Sequence, residues 1–225
     1  MTDQTDPPLD PQLLDAATAR YRSAGRFAYH FARGKLSRDP AFAAILARSW
    51  IRPGSRVLDL GCGQGLLASL LLAADKRCSV RGIELMPADA QRAREALGDA
   101  AQIVCGDIRH EEFGEPHAVV ILDVLHYIDF DEQDQVLRRI RAALPLEGVL
   151  LLRVGDADAG LPFRLSNWVD RVVTFVRGHR LGRLYCRPLA QWRGALQTLG
   201  FRVEEVPLSQ GTPFANVMLK ATLPA

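Results

Sequence analysis

From Leu13 to Trp50, apolar and aromatic positions recur every three or four residues (Leu14, Ala17, Tyr21; Phe27, His30, Phe31; Phe42, Ile45, Leu46), a spacing that predicts helices. Breaks are expected at Gly25, at Gly34 and at Asp39–Pro40, where a proline suits the first turn of a new helix. Beyond Pro53–Gly54 the pattern changes to short apolar runs alternating with amphipathic ones. Strands are expected at 56–60, 79–84, 101–105, 117–123 and 148–154, with helices at 63–75, 87–98 and 131–144. The near-continuous apolar character of these strands implies a mostly parallel sheet covered by helices on both faces, an α/β architecture. The end of the chain departs from that rhythm. A helix at 188–200 precedes two strands, 201–208 and 215–223, joined through a turn at Gln210–Gly211, and so short a link predicts an antiparallel pair.

These patterns divide the chain into an acidic, proline-rich tail at 1–12 expected to be mobile, an N-terminal helical lid at 13–50, and a main domain at 51–225 carrying an insertion at about 155–187. The opening MTDQTDPPLDPQ lacks the features of a signal peptide, and the apolar run 66–74 is about half a membrane span. A cytoplasmic protein with no transmembrane segment is expected. Cys62, Cys78, Cys105 and Cys186 show no zinc-ligand spacing, so reduced, buried thiols and no metal are expected. The net charge of +2 argues against a surface built to grip nucleic acid, and no RNA-binding module is recognisable.

The chemistry concentrates at the run VLDLGCGQG (57–65). Gly61, Gly63 and Gly65 fall where the first strand turns into a helix, the place at which open α/β sheets bind ligands. Glycines there let the backbone approach a ligand closely, and free N–H groups point toward it. Glu84 ends the second strand, where a carboxylate suits ribose hydroxyls. That arrangement alone would also fit a nicotinamide dinucleotide. Three features favour a cationic nucleoside instead. Leu66 stands where the dinucleotide fingerprint has its third glycine, Asp59 places a negative charge where a pyrophosphate would sit, and Asp107 follows the third strand, placed to accept from an adenine amine.

Together these residues resemble the class I S-adenosylmethionine-dependent methyltransferase family, over roughly 50–155, with the final hairpin similar in topology only. The resemblance implies a Rossmann-like seven-stranded, mostly parallel sheet of order 3-2-1-4-5-7-6 with strand 7 antiparallel. It implies S-adenosylmethionine as cofactor, held by Asp59, Gly61, Cys62 and Gly63 of the first motif, with Gly61 and Gly63 facing the methionine part. Glu84 would hold the ribose, Leu85 and Ile108 would flank the adenine, Asp107 would contact its amine, and Asp123 would end the fourth strand. No (D/N)PPY signature follows strand four, so the resemblance is to the small-molecule branch. An NAD(P)-dependent oxidoreductase and a non-catalytic cofactor-binding protein remain the alternatives.

His126 and Tyr127, just after the fourth strand, are expected to border the acceptor, with His126 suited to act as a base. The competing expectation for His126 is simple packing. Asp129 and Asp131 resemble a metal pair, but Asp131, or a neighbour, is read as the cap of the following helix, and no metal is expected. Arg33 in the lid is expected to meet the cofactor carboxylate, against the alternative of an arginine in solvent. Residues 164–193 carry seven arginines and one acid, Asp170. Such a stretch is read either as a cap with solvated arginines or as a lid attracting an anionic acceptor: an acyl group on carrier protein, a CoA thioester, or a lipid at a transiently bound anionic membrane surface.

Overall fold

The computed structural model describes residues 6–155, 184–208 and 216–225. Most of the arginine-rich insertion and the Gln210–Gly211 turn lie outside these residues. The described strands form a seven-stranded sheet of order β3-β2-β1-β4-β5-β7-β6. They are β1 (Arg56–Leu60), β2 (Ser79–Glu84), β3 (Gln102–Cys105), β4 (Ala118–Leu122), β5 (Val149–Gly155), β6 (Arg202–Pro207) and β7 (Asn216–Thr222). β1 pairs parallel with β2 and β2 with β3, while β7 runs antiparallel to both β5 and β6. This is the Rossmann-like order expected from the sequence, with its antiparallel strand 7. Packing divides the chain into two compact units, Met1–Val120 and Ile121–Ala225.

In the first unit the N-terminal helices are α1 (Pro11–Ala19), α2 (Arg26–Arg38) and α3 (Pro40–Ala47), with a 3-10 turn at Arg20–Arg22. Within the segment read as a tail, Asp6 pairs with Arg48 Nε at 2.8 Å and Asp10 caps α1 through the N–H groups of Gln12 and Leu13. Gly25 and Asp39–Pro40 interrupt the helices as expected, Asp39 accepting from the Ala41 N–H. The break expected at Gly34 does not occur. α2 runs through it because the buried row Ala28, Ala32 and Leu36 holds that turn, and a glycine costs a packed helix only about 1 kcal/mol.

The helix after β1 is shorter than the periodicity suggests: α4 spans Leu66–Ala73, not 63–75. Gly63 and Gly65 adopt φ +56° and +75°, left-handed values that cannot continue a right-handed helix. α5 (Pro87–Leu97) follows β2. α1 packs on α4, where Ser69 donates its hydroxyl to the Ala17 carbonyl at 2.7 Å.

In the second unit, α6 (Phe130–Ala143) is capped by Asp129, not Asp131. Asp129 accepts from the Glu132 N–H while Glu132 accepts from the Asp129 N–H, a reciprocal cap that fixes the start of the helix. Its buried row is Gln133, Val136, Leu137 and Ile140. α7 (Leu189–Thr198) buries Trp192 and Leu196. No disulfide joins the four cysteines. Cys62 and Cys78 are buried, but Cys105 is exposed and Cys186 half-buried, against the expectation of four buried thiols. Cys105 ends the sheet's outermost strand, which leaves it uncovered. Among the described residues, no helix is long and apolar enough to cross a membrane.

Candidate active site

In the first unit the backbone builds a cradle at the C-terminal ends of β1, β2 and β3. Gly61 and Cys62 both donate to the Ile83 carbonyl, at 2.8 and 3.1 Å, lashing the loop after β1 to β2. Gly65 donates to the Cys62 carbonyl at 2.9 Å and closes the turn into α4. Two glycines are needed here for different reasons. A Cβ on Gly65 would stand 2.6 Å from Leu97 Cδ1, so that glycine serves packing. A Cβ on Gly63 would meet nothing within 4 Å: open space lies over that residue. Gly82 on β2 makes room for Cys62, whose Sγ would be 2.6 Å from a Cβ there.

Tyr21, which the sequence reading placed in a lid, is wholly buried and donates its hydroxyl to the Gln64 carbonyl at 2.9 Å. It thus pins the loop from the N-terminal segment, and burial pushes its phenol well above the ordinary range. Gln64 donates to Asp89 at 3.0 Å on α5, and its buried Oε1 has no partner among the described residues.

Glu84 is buried, and each carboxylate oxygen accepts one backbone N–H at 2.8 Å, from Gly63 and from Met86. Asp59, inside β1, is buried. Burial, and then the charge of Glu84, push its carboxyl up to about 7. Burial, Asp59 and Glu84 likewise push the Cys62 thiol up and keep it protonated. Beyond Glu84, Leu85 is 59% exposed, a large apolar side chain facing outward at the strand tip. Across β3, Ile108 is buried. Asp107 accepts from the Arg109 N–H at 2.9 Å and from its guanidinium at 2.5–3.0 Å, which holds it below the usual carboxylate range.

In the second unit, Asp123 follows β4 with φ +59°, where a non-glycine residue turns the chain out of the strand. Its carboxylate takes a two-pronged ion pair from Arg153 of β5, which is only 3% exposed. Asp123 is therefore held by a neighbouring strand, a partner the sequence reading did not supply. Truncating one side of such a pair leaves the other charge without its donors. Arg153→Met is accordingly expected to lower stability by about 2 kcal/mol, read from the urea unfolding midpoint. An unchanged midpoint would contradict the pairing.

His126 and Tyr127 form a 3-10 turn, their rings 4.2 Å apart. His126 Nε2 is buried with no partner among the described residues. Burial, opposed by Asp123, holds its imidazole below the ordinary value of 6.5, so the ring is neutral at physiological pH. Tyr127 is 40% exposed. Arg33 pairs with Asp15 of α1, with both side chains solvated. Asp129 is occupied as a helix cap.

The sequence reading missed Arg153 and Gln133. Both had a signal. Arg153 is a lone charge inside the apolar strand GVLLLRV, and Gln133 falls in register with the apolar stripe Val136, Leu137 and Ile140.

A sheet of this order, with a glycine loop after β1 and an acid ending β2, defines a Rossmann-like methyltransferase fold. The family model described as a methyltransferase domain matches residues 29–206, and the chain belongs to that family. It is 32% identical to a carboxy-S-adenosyl-L-methionine synthase of Chromohalobacter salexigens, over 48% of this chain and 43% of that protein. It is 30% identical to a malonyl-[acyl-carrier protein] O-methyltransferase of Anoxybacillus flavithermus, over 35% of this chain and 31% of that one. The chain thus spans about half the length, or less, of these curated relatives. Among solved structures it is similar to magnesium protoporphyrin IX methyltransferase from Synechocystis PCC 6803 with bound SAH. There the TM-score is 0.63 and the identity 20%, covering 94% of this chain and 97% of that one.

Proposed function

We propose that the chain is an S-adenosylmethionine-dependent methyltransferase acting on a small or carrier-bound acceptor at oxygen or carbon. The observation that carries this reading is Asp59: a buried carboxylate, pushed up by burial and by Glu84, in the strand that leads into a loop whose Gly63 has open space over it. A dinucleotide would bring negative charge to such a place, whereas an amino acid ammonium group or a sulfonium supplies a cation. Glu84, ending β2, would accept from the ribose hydroxyls, and Leu85 and Ile108 would flank a purine. Asp107 would share its oxygens between Arg109 and an adenine amine. When bound, the cofactor supplies an electrophilic methyl group. Methyl transfer then needs orientation, and a base only if the acceptor must lose a proton. His126, neutral and half-buried, suits that role, with Tyr127 beside it bordering the acceptor. Asp123, tied to Arg153, holds the end of β4 in place. Arg33 keeps a part in cofactor binding only if it leaves Asp15. The carrier-bound alternative draws support from the basic stretch of 164–193 and from the malonyl-[acyl-carrier protein] O-methyltransferase relative.

Calorimetric titration with S-adenosylhomocysteine and, separately, NADH tests the cofactor class. Saturable heat is expected with the first alone, and the reverse pattern would overturn the reading. The pH dependence adds a sharper signature. Asp59 titrates at about 7 in the folded protein against 3.8 ordinarily. Protonation therefore favours the ligand-free fold, and this contribution is full below the ordinary range and lost as pH rises through 7. The ammonium ligand needs the ionised form, so its affinity should rise as pH goes from 5 to 7.5, by up to about tenfold per unit. S-adenosylhomocysteine should consequently raise the melting temperature more at pH 7.5 than at pH 5. An equal increment at both values would count against Asp59 as the cation's partner.

A further inference from the structure

Gln133 is a buried polar side chain of the second unit whose hydrogen bonds join three stretches of backbone. It is wholly buried on α6, and its amide nitrogen lies within hydrogen-bond distance of three carbonyls from three stretches of backbone. They are Leu125 at 3.0 Å, Ile128 at 3.0 Å and Tyr185 at 2.8 Å. Leu125 and Ile128 bracket His126 and Tyr127. Tyr185 belongs to the segment that leads into α7, and its own N–H donates to the His126 carbonyl at 2.9 Å. His126 is therefore held from two directions, its flanking carbonyls by Gln133 and its own by Tyr185, which Gln133 also grips.

The chemistry permits only one orientation. Three carbonyl oxygens surround one end of the amide, so that end must be the donor NH2 group, because an oxygen there would face three like dipoles. Oε1 is left buried without a partner among the described residues, a cost of about 1–3 kcal/mol that the three contacts must offset. Methionine or leucine would fill this place in the apolar row without that cost. The same segment is fixed again two residues on. Arg187 donates to Asp134 at 2.7 Å and to the Phe130 carbonyl at 2.6 Å, and its guanidinium lies over the Phe130 and Trp192 rings. The Tyr185 ring meets Phe130 edge-on, with centroids 5.5 Å apart.

We infer that Gln133 is a positioning residue: it sets the His126–Tyr127 turn and locks it to the Leu184–Arg187 segment, so that the turn and that segment hold one arrangement together. The inference rests on the proposed role of His126 for its functional meaning, but not for its test. A change at residues 184–187 reaches His126 through two hydrogen bonds.

The test uses the intact protein and two variants. Hydrogen exchange in the unaltered chain should show the Tyr185 amide strongly protected; exchange at the rate of free peptide would overturn the inference at once. In Gln133→Met, similar in length but without donors, the protection factor of that amide should fall at least about tenfold. The His126 imidazole, followed by NMR against the other four histidines, should titrate closer to 6.5 as its burial is relieved, with Asp123 the charged group favouring the same direction. A role confined to stability would lower the melting temperature and leave the His126 midpoint in place, and that result refutes positioning. Gln133→Glu covers the case in which the methionine variant does not fold. An ionised carboxylate repels the three carbonyls, while the protonated form regains a donor, so Tyr185 protection should be lost at pH 8 and return at pH 5. Protection equal at both values would also refute the inference. Binding of S-adenosylhomocysteine to the unaltered chain is read separately, so failure of the cofactor assignment is told apart from failure here.

Discussion

Glu84→Ala is expected to weaken S-adenosylhomocysteine binding by about a thousandfold, from two charge-assisted bonds to hydroxyls worth about 1.5–3 kcal/mol each. The carboxylate ends β2, is buried, and already orders the cradle through Gly63 and Met86. Its loss removes the ribose partner and also frees the Gly63 N–H, so the loop slackens as the ligand contact disappears. Glu84→Gln separates the two effects. It keeps the size and one acceptor but removes the charge that helps hold Asp59 up at about 7, so the pH midpoint for binding should move downward. Calorimetry at several pH values measures both. Binding within threefold of the unaltered protein in the alanine variant would remove Glu84 from the site.

A second large effect separates two glycines that look alike in sequence. Gly65→Ala should destabilise the fold by about 3 kcal/mol, combining a left-handed backbone with an overpacked contact. The Cβ would stand 2.6 Å from Leu97 Cδ1 and 3.4 Å from the Ala93 Cβ, and both are buried core side chains. Gly63→Ala meets no such neighbour and should cost only about 1 kcal/mol in backbone strain. Yet its methyl would occupy the open face of the loop, and binding should weaken by about a hundredfold, or close to 3 kcal/mol. Chemical unfolding and calorimetry on both variants give four numbers. Equal stability losses, or unimpaired binding in Gly63→Ala, would contradict the assignment of one glycine to packing and the other to ligand.

The sheet was legible because its information is local. Runs such as VVIL and LLLRV can only be buried strands, and alternation with amphipathic helices leaves few topologies. The glycine loop was legible for the same reason, since three glycines at a strand end have few other uses. What escaped depends on residues far apart in the chain. Asp123 and Arg153 are thirty positions apart and meet only because β4 and β5 are neighbours. Arg33 pairs with Asp15 of the preceding helix, an ion pair that the local pattern does not announce. The break expected at Gly34 fails because packing by Ala32 and Leu36 overrides a weak local preference. Asp131 looked as good a cap as Asp129, and only the reciprocal bond with Glu132 tells them apart.

The family match begins at Tyr29, yet the hydroxyl that steadies the Gln64 carbonyl comes from Tyr21. Homology thus outlines the shared module more narrowly than mechanics does. Anyone grafting this unit into a chimaera, or trimming it for production, should place the upstream cut before Asp10, so that the glycine turn keeps its strut and the first helix its cap.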